Sequence, residues 1–423
     1  IREVNFKFGY TDYEHTEFEG KEVGTHFLTD GFNARIELKH EKIYEFEGAV
    51  GLEIQRADFE ALGAEAFVPA VENQASSLFI FEEIAFNPFI LQLGGRYDYQ
   101  SSNTDAIGRD FNAFSVSTGA VYNPTEDYAI ALSLGYSQRP PNYVELFADG
   151  AHAATNTIEI GDPSLGTEDS LALDLSFRKK TGRVTGSISG FYYRFNDFVS
   201  LQNSGLPADA EGLLTFNYEA VGADFYGGEI ETTFHFLEPK STLTNDDKTL
   251  DQQLDLILRA DYVHAENRSS GEPIPRIPPF RATIGIDYQL EKFGANLEAQ
   301  WSANQDRVAA DELPTDGYVL VSLGFDYRLS VGEVNTTFFL KGTNLLDQDA
   351  RQSTSFLKDV APIAGRGLIA PHFLFSMDQE FETCFIFMVK RIGCHPELKA
   401  KDLFLPCDRS KQTSYEHTRM CGA

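Results

Sequence analysis

Cysteine and methionine are missing from the first 366 residues of this 423-residue chain. All four cysteines (Cys384, Cys394, Cys407, Cys421) and all three methionines (Met377, Met388, Met420) fall after Arg366. A body without thiols suits an oxidising compartment. The late cysteines include no CxxC pair, so a zinc-type cluster is not indicated; disulfides in a small tail domain would be. Positive charge is scarce as well: 35 Lys and Arg stand against 64 Asp and Glu, a formal charge of −29. Residues 367–423 hold seven basic and seven acidic side chains, so the whole excess falls on residues 1–366. That balance argues against a nucleic-acid partner, whose phosphates need a basic face. It would concentrate cations instead. No run of 18 apolar residues exists, so no membrane helix is expected. A signal-peptide pattern and an initial Met are both absent, so the start reads as processed or as that of a fragment. Catalytic motifs are missing too: there is no phosphate-cradling glycine loop, no GxSxG and no HExxH. Adjacent acids such as Glu82 and Glu83 would face opposite sides of a strand, which makes them poor acid–base partners. An enzyme is not expected, and no catalytic cofactor is implied.

What is present is alternation. Residues 111–122 (FNAFSVSTGAVY), 128–138 (YAIALSLGYSQ), 170–180 (SLALDLSFRKK) and 317–328 (GYVLVSLGFDYR) place apolar side chains at every second position. On a pleated strand that pattern loads one face with apolar groups and the other with polar ones. About 16 strands follow: 2–16, 25–41, 43–57, 75–86, 89–101, 110–123, 126–138, 168–180, 183–200, 212–237, 253–267, 279–291, 294–308, 317–330, 333–346, and a last one from near Gly365. Many run 12 residues or longer, about twice the ordinary globular strand. The fold class is therefore all-β, a large antiparallel barrel.

Connection lengths alternate. Residues 86–89, 123–127, 180–183, 291–294 and 330–333 make short turns, whereas 58–74, 139–169, 201–211, 267–279, 308–316 and 347–364 make long loops. Short turns on one side and long loops on the other mark a transmembrane barrel. The 99–110 connection is short for the outer side, and 238–252 is long for the inner side. Tyr97, Tyr99, Tyr136, Tyr192, Tyr193, Tyr288 and Tyr327 sit near strand ends. They read as an interfacial girdle against lipid, or simply as aromatics favouring strands.

Several stretches resemble one family. GYTDYEHTEFEG (9–20) and NARIELKH (33–40) look like an early hairpin of the barrel of TonB-dependent outer-membrane receptors, in their zinc-uptake branch. ELFADGAHAATNTIEIGD (145–162) is similar to that branch's long histidine-bearing loop. GADFYGGEIE (222–231), PRIPPFR (275–281) and GTNLLDQDARQSTSFLKDVAPIAGR (342–366) resemble its later strands and loops. The resemblance spans residues 1–366. It implies a bacterial outer-membrane location and a 22-stranded barrel around an N-terminal plug. About 16 strands are visible, so the plug and the first strands are expected to be missing. It also implies contact with outer-membrane lipid and with the TonB energy-transducing complex through the plug. Residues 367–423 depart from the family: a last strand begins, then a cysteine-bearing tail follows. A frameshift or read-through would produce such a tail, and intact tail peptides in native protein would refute that origin.

The resemblance also implies a metal site. In the zinc-uptake branch one barrel glutamate and one loop histidine contribute, the rest coming from the plug. The matching positions are Glu17 and His152, with His15 and Glu14 as neighbours able to substitute. Asp149 stands where the family often has another histidine, and a carboxylate there is a harder ligand. From its own surroundings alone, His152 reads as a solvated loop histidine; the resemblance is what points to a metal or substrate contact. Glu145, Glu159 and Asp162 are a cation funnel or a solvated face. His26, His40, His235 and His264 lack ligand spacing and are expected to line the barrel or to be structural. The function implied is active transport of a metal ion, with Zn2+ as substrate, or of a metal complex. A siderophore or haem receptor of the same fold, or a passive barrel fragment, is the alternative.

Overall fold

The computed structural model describes residues 1–19, 22–63, 66–152, 155–237, 252–310, 312–332, 334–370 and 375–377. Strands β1 (Glu3–Glu19), β2 (Glu22–Lys39), β3 (Phe46–Gly63), β4 (Val71–Phe86), β5 (Phe89–Asn103), β6 (Gly108–Thr125) and β7 (Tyr128–Arg139) form the first part of a wall. The loop that follows holds helix α1 (Tyr143–Phe147) and two short strands, β8 (Asp149–His152) and β9 (Thr157–Ile160). The wall resumes with β10 (Glu168–Lys179), β11 (Val184–Asn203), β12 (Leu214–Leu237), β13 (Gln252–Asn267) and β14 (Arg281–Leu290). It continues with β15 (Phe293–Ser302), β16 (Tyr318–Val331) and β17 (Val334–Thr343), then β18 (Gly367–Ile369) and β19 (Phe375–Met377).

Each wall strand pairs antiparallel with the next. β7 skips the loop and pairs with β10, Glu168 lying opposite Arg139. β18 and β19 both pair with β17, at 341–343 and 334–336, so they share one strand position. Fifteen long strands and that last position reproduce the expected sixteen. Among the described residues β1 pairs only with β2, so the meander is not closed into a ring.

Alternation explains the two faces. In β1, Val4, Phe6, Phe8 and Tyr10 are all exposed, and in β10 so are Leu171, Leu173, Leu175 and Phe177. The intervening positions carry charge on the inner face. Arg35 reaches Glu37 at 2.9 Å and Glu53 at 3.6 Å, and Arg96 reaches Asp98 at 2.8 Å. An apolar outside around a polar inside is the arrangement that lipid requires of a barrel wall. Tyr97, Tyr99, Tyr136, Tyr192 and Tyr327 stand exposed on the outside. Tyr193 does not belong to a girdle: it turns inward and donates to Asp174 at 2.7 Å.

Several outer strands run further than their alternation indicates. Residues 17–24 and 58–74 read as connections, yet β1 and β2 pair as far as Glu19 and Glu22. β3 and β4 likewise pair as far as Phe59 and Val71. Where a strand rises above the lipid its outer face no longer has to be apolar: Asp58 and Glu60 alternate with Phe59, which packs inward with Val71. In the other direction β15 stops at Ser302, and residues 303–308 keep only an isolated bridge from Gln305 to Thr315. The long inner connection, apart from its ends, and the cysteine tail lie outside the described residues.

Candidate metal-binding mouth

The loop between β7 and β10 folds back into the outer end of the wall. Its roots are tied first. Arg139 pairs with Glu145 (2.9 and 3.1 Å) and with Glu168 (3.1 Å), and Glu168 also accepts from the Val199 N–H at 3.0 Å. Burial opposes the Arg139 charge, but the two carboxylates outweigh it and raise its pKa. Asn142 caps α1, accepting from Glu145 N–H at 2.9 Å while Glu145 accepts from Asn142 N–H at 2.8 Å, a capping box. Glu145 is thus a buried structural carboxylate and not part of a cation funnel. Leu146, Phe147 and Ala148 enter an apolar cluster with Val68, Val71, Phe111, Leu165 and Val199. Gln100 holds Pro141 O from the inner face at 3.0 Å.

The β8–β9 hairpin then reaches the outer end of β12, two strands beyond β10. β9 pairs in parallel with residues 214–217 of β12. Asn156 closes the hairpin at φ +55°, donating to His152 O at 2.9 Å; asparagine tolerates that left-handed geometry. The His152 ring stacks on Phe67 at 4.1 Å. Its Nδ1 lies 2.9 Å from Glu159 Oε1. Glu159 is only 2 % exposed, so it is neither a funnel nor a solvated face. It accepts also from Thr155 (2.8 Å) and from the Tyr218 hydroxyl (2.8 Å). Burial pushes the Glu159 carboxyl up, but the bonds from His152, Tyr218 and Thr155 prevail and hold it below the ordinary glutamate range. Burial and the neighbouring Glu159 charge raise Tyr218 in turn. With Nδ1 engaged, Nε2 of His152 is the nitrogen left for a ligand.

Glu17 stands on the inner face of β1 at the same end. His15, two residues before it, places Nε2 3.7 Å from its carboxylate. His15 stacks on Phe27 (4.7 Å), and tilted ring contacts run on from Phe27 to Phe59 (6.3 Å) and from Phe59 to Tyr143 of α1 (5.0 Å). An aromatic row therefore joins the Glu17 side to the loop helix. Glu14 alternates to the opposite face of β1, and Asp149 to the opposite face of the hairpin from His152. Glu17 and His152 make no direct contact with one another among the described residues. No three His, Cys, Asp or Glu side chains there form a metal-sized group. Asp162 caps a local turn by accepting from Ser164. The other strand histidines are held by neighbours: His26 with Thr16, His40 with Glu82, His235 with Thr185 and Asp255, and His264 against Tyr226. Sequence reasoning missed Phe67, Thr155 and Tyr218, whose roles come only from contacts made in the fold.

A long antiparallel meander, apolar outside and polar inside with folded loops at one end, defines an outer-membrane β-barrel protein. Residues 2–345 match the family model "TonB dependent receptor-like, beta-barrel", and the chain belongs to that family. It is a family of outer-membrane receptors and transporters in Gram-negative bacteria, not of enzymes; the match names no branch. Among solved structures the chain is similar to the copper transporter OprC, at 17 % identity and TM-score 0.68, over 86 % of this chain and 60 % of that one. It is similar to the FrpB iron transporter from Neisseria meningitidis, at 12 % identity and TM-score 0.60, over 81 % and 54 %. A third is the ferric enterobactin receptor PfeA from Pseudomonas aeruginosa, at 15 % identity and TM-score 0.58, over 83 % and 55 %. These likenesses concern the fold. The chain spans under two thirds of the length of each.

Proposed function

We propose that this chain is the barrel of an active-transport receptor that takes up a metal ion, zinc in first place, at its outer mouth. The observation that carries the reading is the pairing of His152 Nδ1 with buried Glu159. Metal-binding histidines commonly donate one ring nitrogen to a carboxylate, which fixes the ring and leaves the other nitrogen for the metal. Glu17 supplies an oxygen donor on the inner face, with His15 beside it, and zinc takes both ligand types. The remaining ligands come from a plug, and the TonB complex supplies the energy that moves it. A metal complex as cargo is the second reading, favoured by solved structures of this fold named for copper, iron and enterobactin. Zinc titration of the refolded full-length receptor tests the site. His152→Ala and Glu17→Ala are each expected to weaken zinc binding by about tenfold or more. Unchanged affinity in both variants rejects it.

A further inference from the structure

Basic residues are scarce in this chain, 35 against 64 acids, yet four of them fall within six positions. Arg178, Lys179, Lys180 and Arg183 close the hairpin between β10 and β11. Short turns of this kind face the periplasm in an outer-membrane barrel. Gly182, at φ +90°, lets the chain reverse there. The neighbouring turn between β6 and β7 holds it in place. Lys180 N–H donates to Asp127 O at 2.7 Å, and the Thr181 hydroxyl donates to the Asp127 carboxylate. Among the described residues none of the four cations is ion-paired: Lys179 Nζ donates to Thr181 O and lies 5.5 Å from the Tyr128 ring centre, and Lys180 Nζ donates to the uncharged Asn123 side chain at 2.9 Å. Arg178, Lys180 and Arg183 are exposed. Lys179 alternates outward with Phe177, and Arg178 inward.

An aromatic belt sets the depth of this turn. On the outer face Tyr128 meets Phe177 at 5.8 Å. Neighbouring strands carry the belt on, with Tyr122 against Phe89 at 4.9 Å and Phe89 against Phe86 at 5.7 Å. Phe86, Phe89, Tyr122 and Phe177 are all exposed. Such belts lie at headgroup level, so cations just past this one meet the headgroups of the inner leaflet. Lys179 can cover Tyr128 with its stem while its ammonium reaches that polar layer. The acids of the neighbouring turn are Glu126 and Asp127, two against four cations. The rest of the −29 charge is screened beyond about 8–10 Å, so the local sign prevails. We propose that this turn docks an anionic phospholipid of the inner leaflet, its phosphodiester held by Lys179, Lys180 and Arg183. Charged donors suit a phosphate, a lysine as a point charge and an arginine as a fork, and basic segments beside a membrane attract anionic lipid. The docking does not depend on the cargo.

The test is native mass spectrometry of the delipidated full-length receptor in a neutral detergent, titrated with phosphatidylglycerol and, separately, with phosphatidylcholine of the same chains. The wild type is expected to bind phosphatidylglycerol more tightly. Replacing Lys179, Lys180 and Arg183 together by Gln is expected to weaken phosphatidylglycerol binding by about tenfold or more and to leave phosphatidylcholine unchanged. Arg178→Gln, on the inner face, is expected to leave both unchanged. If the triple variant does not fold, as judged by heat-modifiable migration, Lys180→Gln alone carries the comparison with a several-fold loss. Phosphatidylglycerol affinity unchanged by these substitutions overturns the proposal. So does a wild type that does not distinguish the two lipids, or an equal loss in Arg178→Gln, which would reduce the effect to general charge. Excess inorganic phosphate should displace the lipid no better than chloride at the same ionic strength; better displacement would mark a free-anion site and overturn the lipid assignment.

Discussion

Glu159 is a carboxylate closed off from water, and it collects three donors from two parts of the chain. His152 and Thr155 are its hairpin neighbours, and Tyr218 reaches it from β12, 59 residues on. A buried charge left without such partners would cost several kcal/mol; with them it fixes the hairpin to the wall. Its folded pKa lies below its unfolded value, so its stabilisation is fully present above about pH 4.3, the ordinary glutamate value. It is lost as pH falls through the lower folded value. Glu159→Gln keeps the shape and removes the charge. The expected loss is about 2 kcal/mol of local stability, with the added protection above pH 4.3 abolished. Protease sensitivity of residues 140–167 against pH reads both effects. A variant as protected as the wild type at neutral pH would show that the cluster does not anchor the hairpin.

At the scale of elements, the loop is held by a close approach between α1 and the end of β9. A Cβ at Gly161 would fall 2.7–2.8 Å from the backbone of Leu146, Phe147 and Ala148, and Gly161 N–H donates to Ala148 O at 2.7 Å. Backbone cannot yield as a flexible side chain can, so Gly161→Ala is expected to lift the hairpin from the helix. Gly166→Ala, where nothing lies within 4 Å, is the matched control. Limited proteolysis should cut the Gly161 variant within 140–167 and leave the control and the wall intact; equal resistance would refute the packing argument. These small elements were illegible in the sequence for a physical reason. A five-residue helix and four-residue strands are too short to show a period, and their stability comes from the cluster around Leu146 and the ties of Arg139. The long strands were legible because lipid on one side and polar side chains on the other impose alternation over 10 residues or more, as in β10 and β14. Alternation failed where lipid ends, at residues 17–24 and 58–74. His152 could be singled out from its loop. That Glu159 beside it is an anchor could not, because the deciding partner, Tyr218, is distant in sequence.

For the whole molecule, the connections decide which end faces the cell exterior. The folded loops 140–167, 204–213, 268–280, 303–317 and 344–366 all leave the same end of the wall as Glu17. The turns at 87–88, 126–127, 180–183 and 291–292 leave the other. In a barrel of this type long loops face outward and short turns face the periplasm. A net charge of −29 would then raise the cation concentration near the receptor. The cysteine-free body makes the orientation directly testable once the four tail cysteines are replaced by serine. Glu211→Cys, exposed in an outer loop, and Glu126→Cys, exposed in an inner turn, add one thiol each. In intact cells making the full-length receptor, a membrane-impermeant maleimide should label Cys at 211 and not at 126. Permeabilising the outer membrane should expose 126 to the same reagent. Labelling of 126 in intact cells, with 211 protected, would invert the barrel and place Glu17 and His152 on the periplasmic side, against the proposed uptake at the outer mouth.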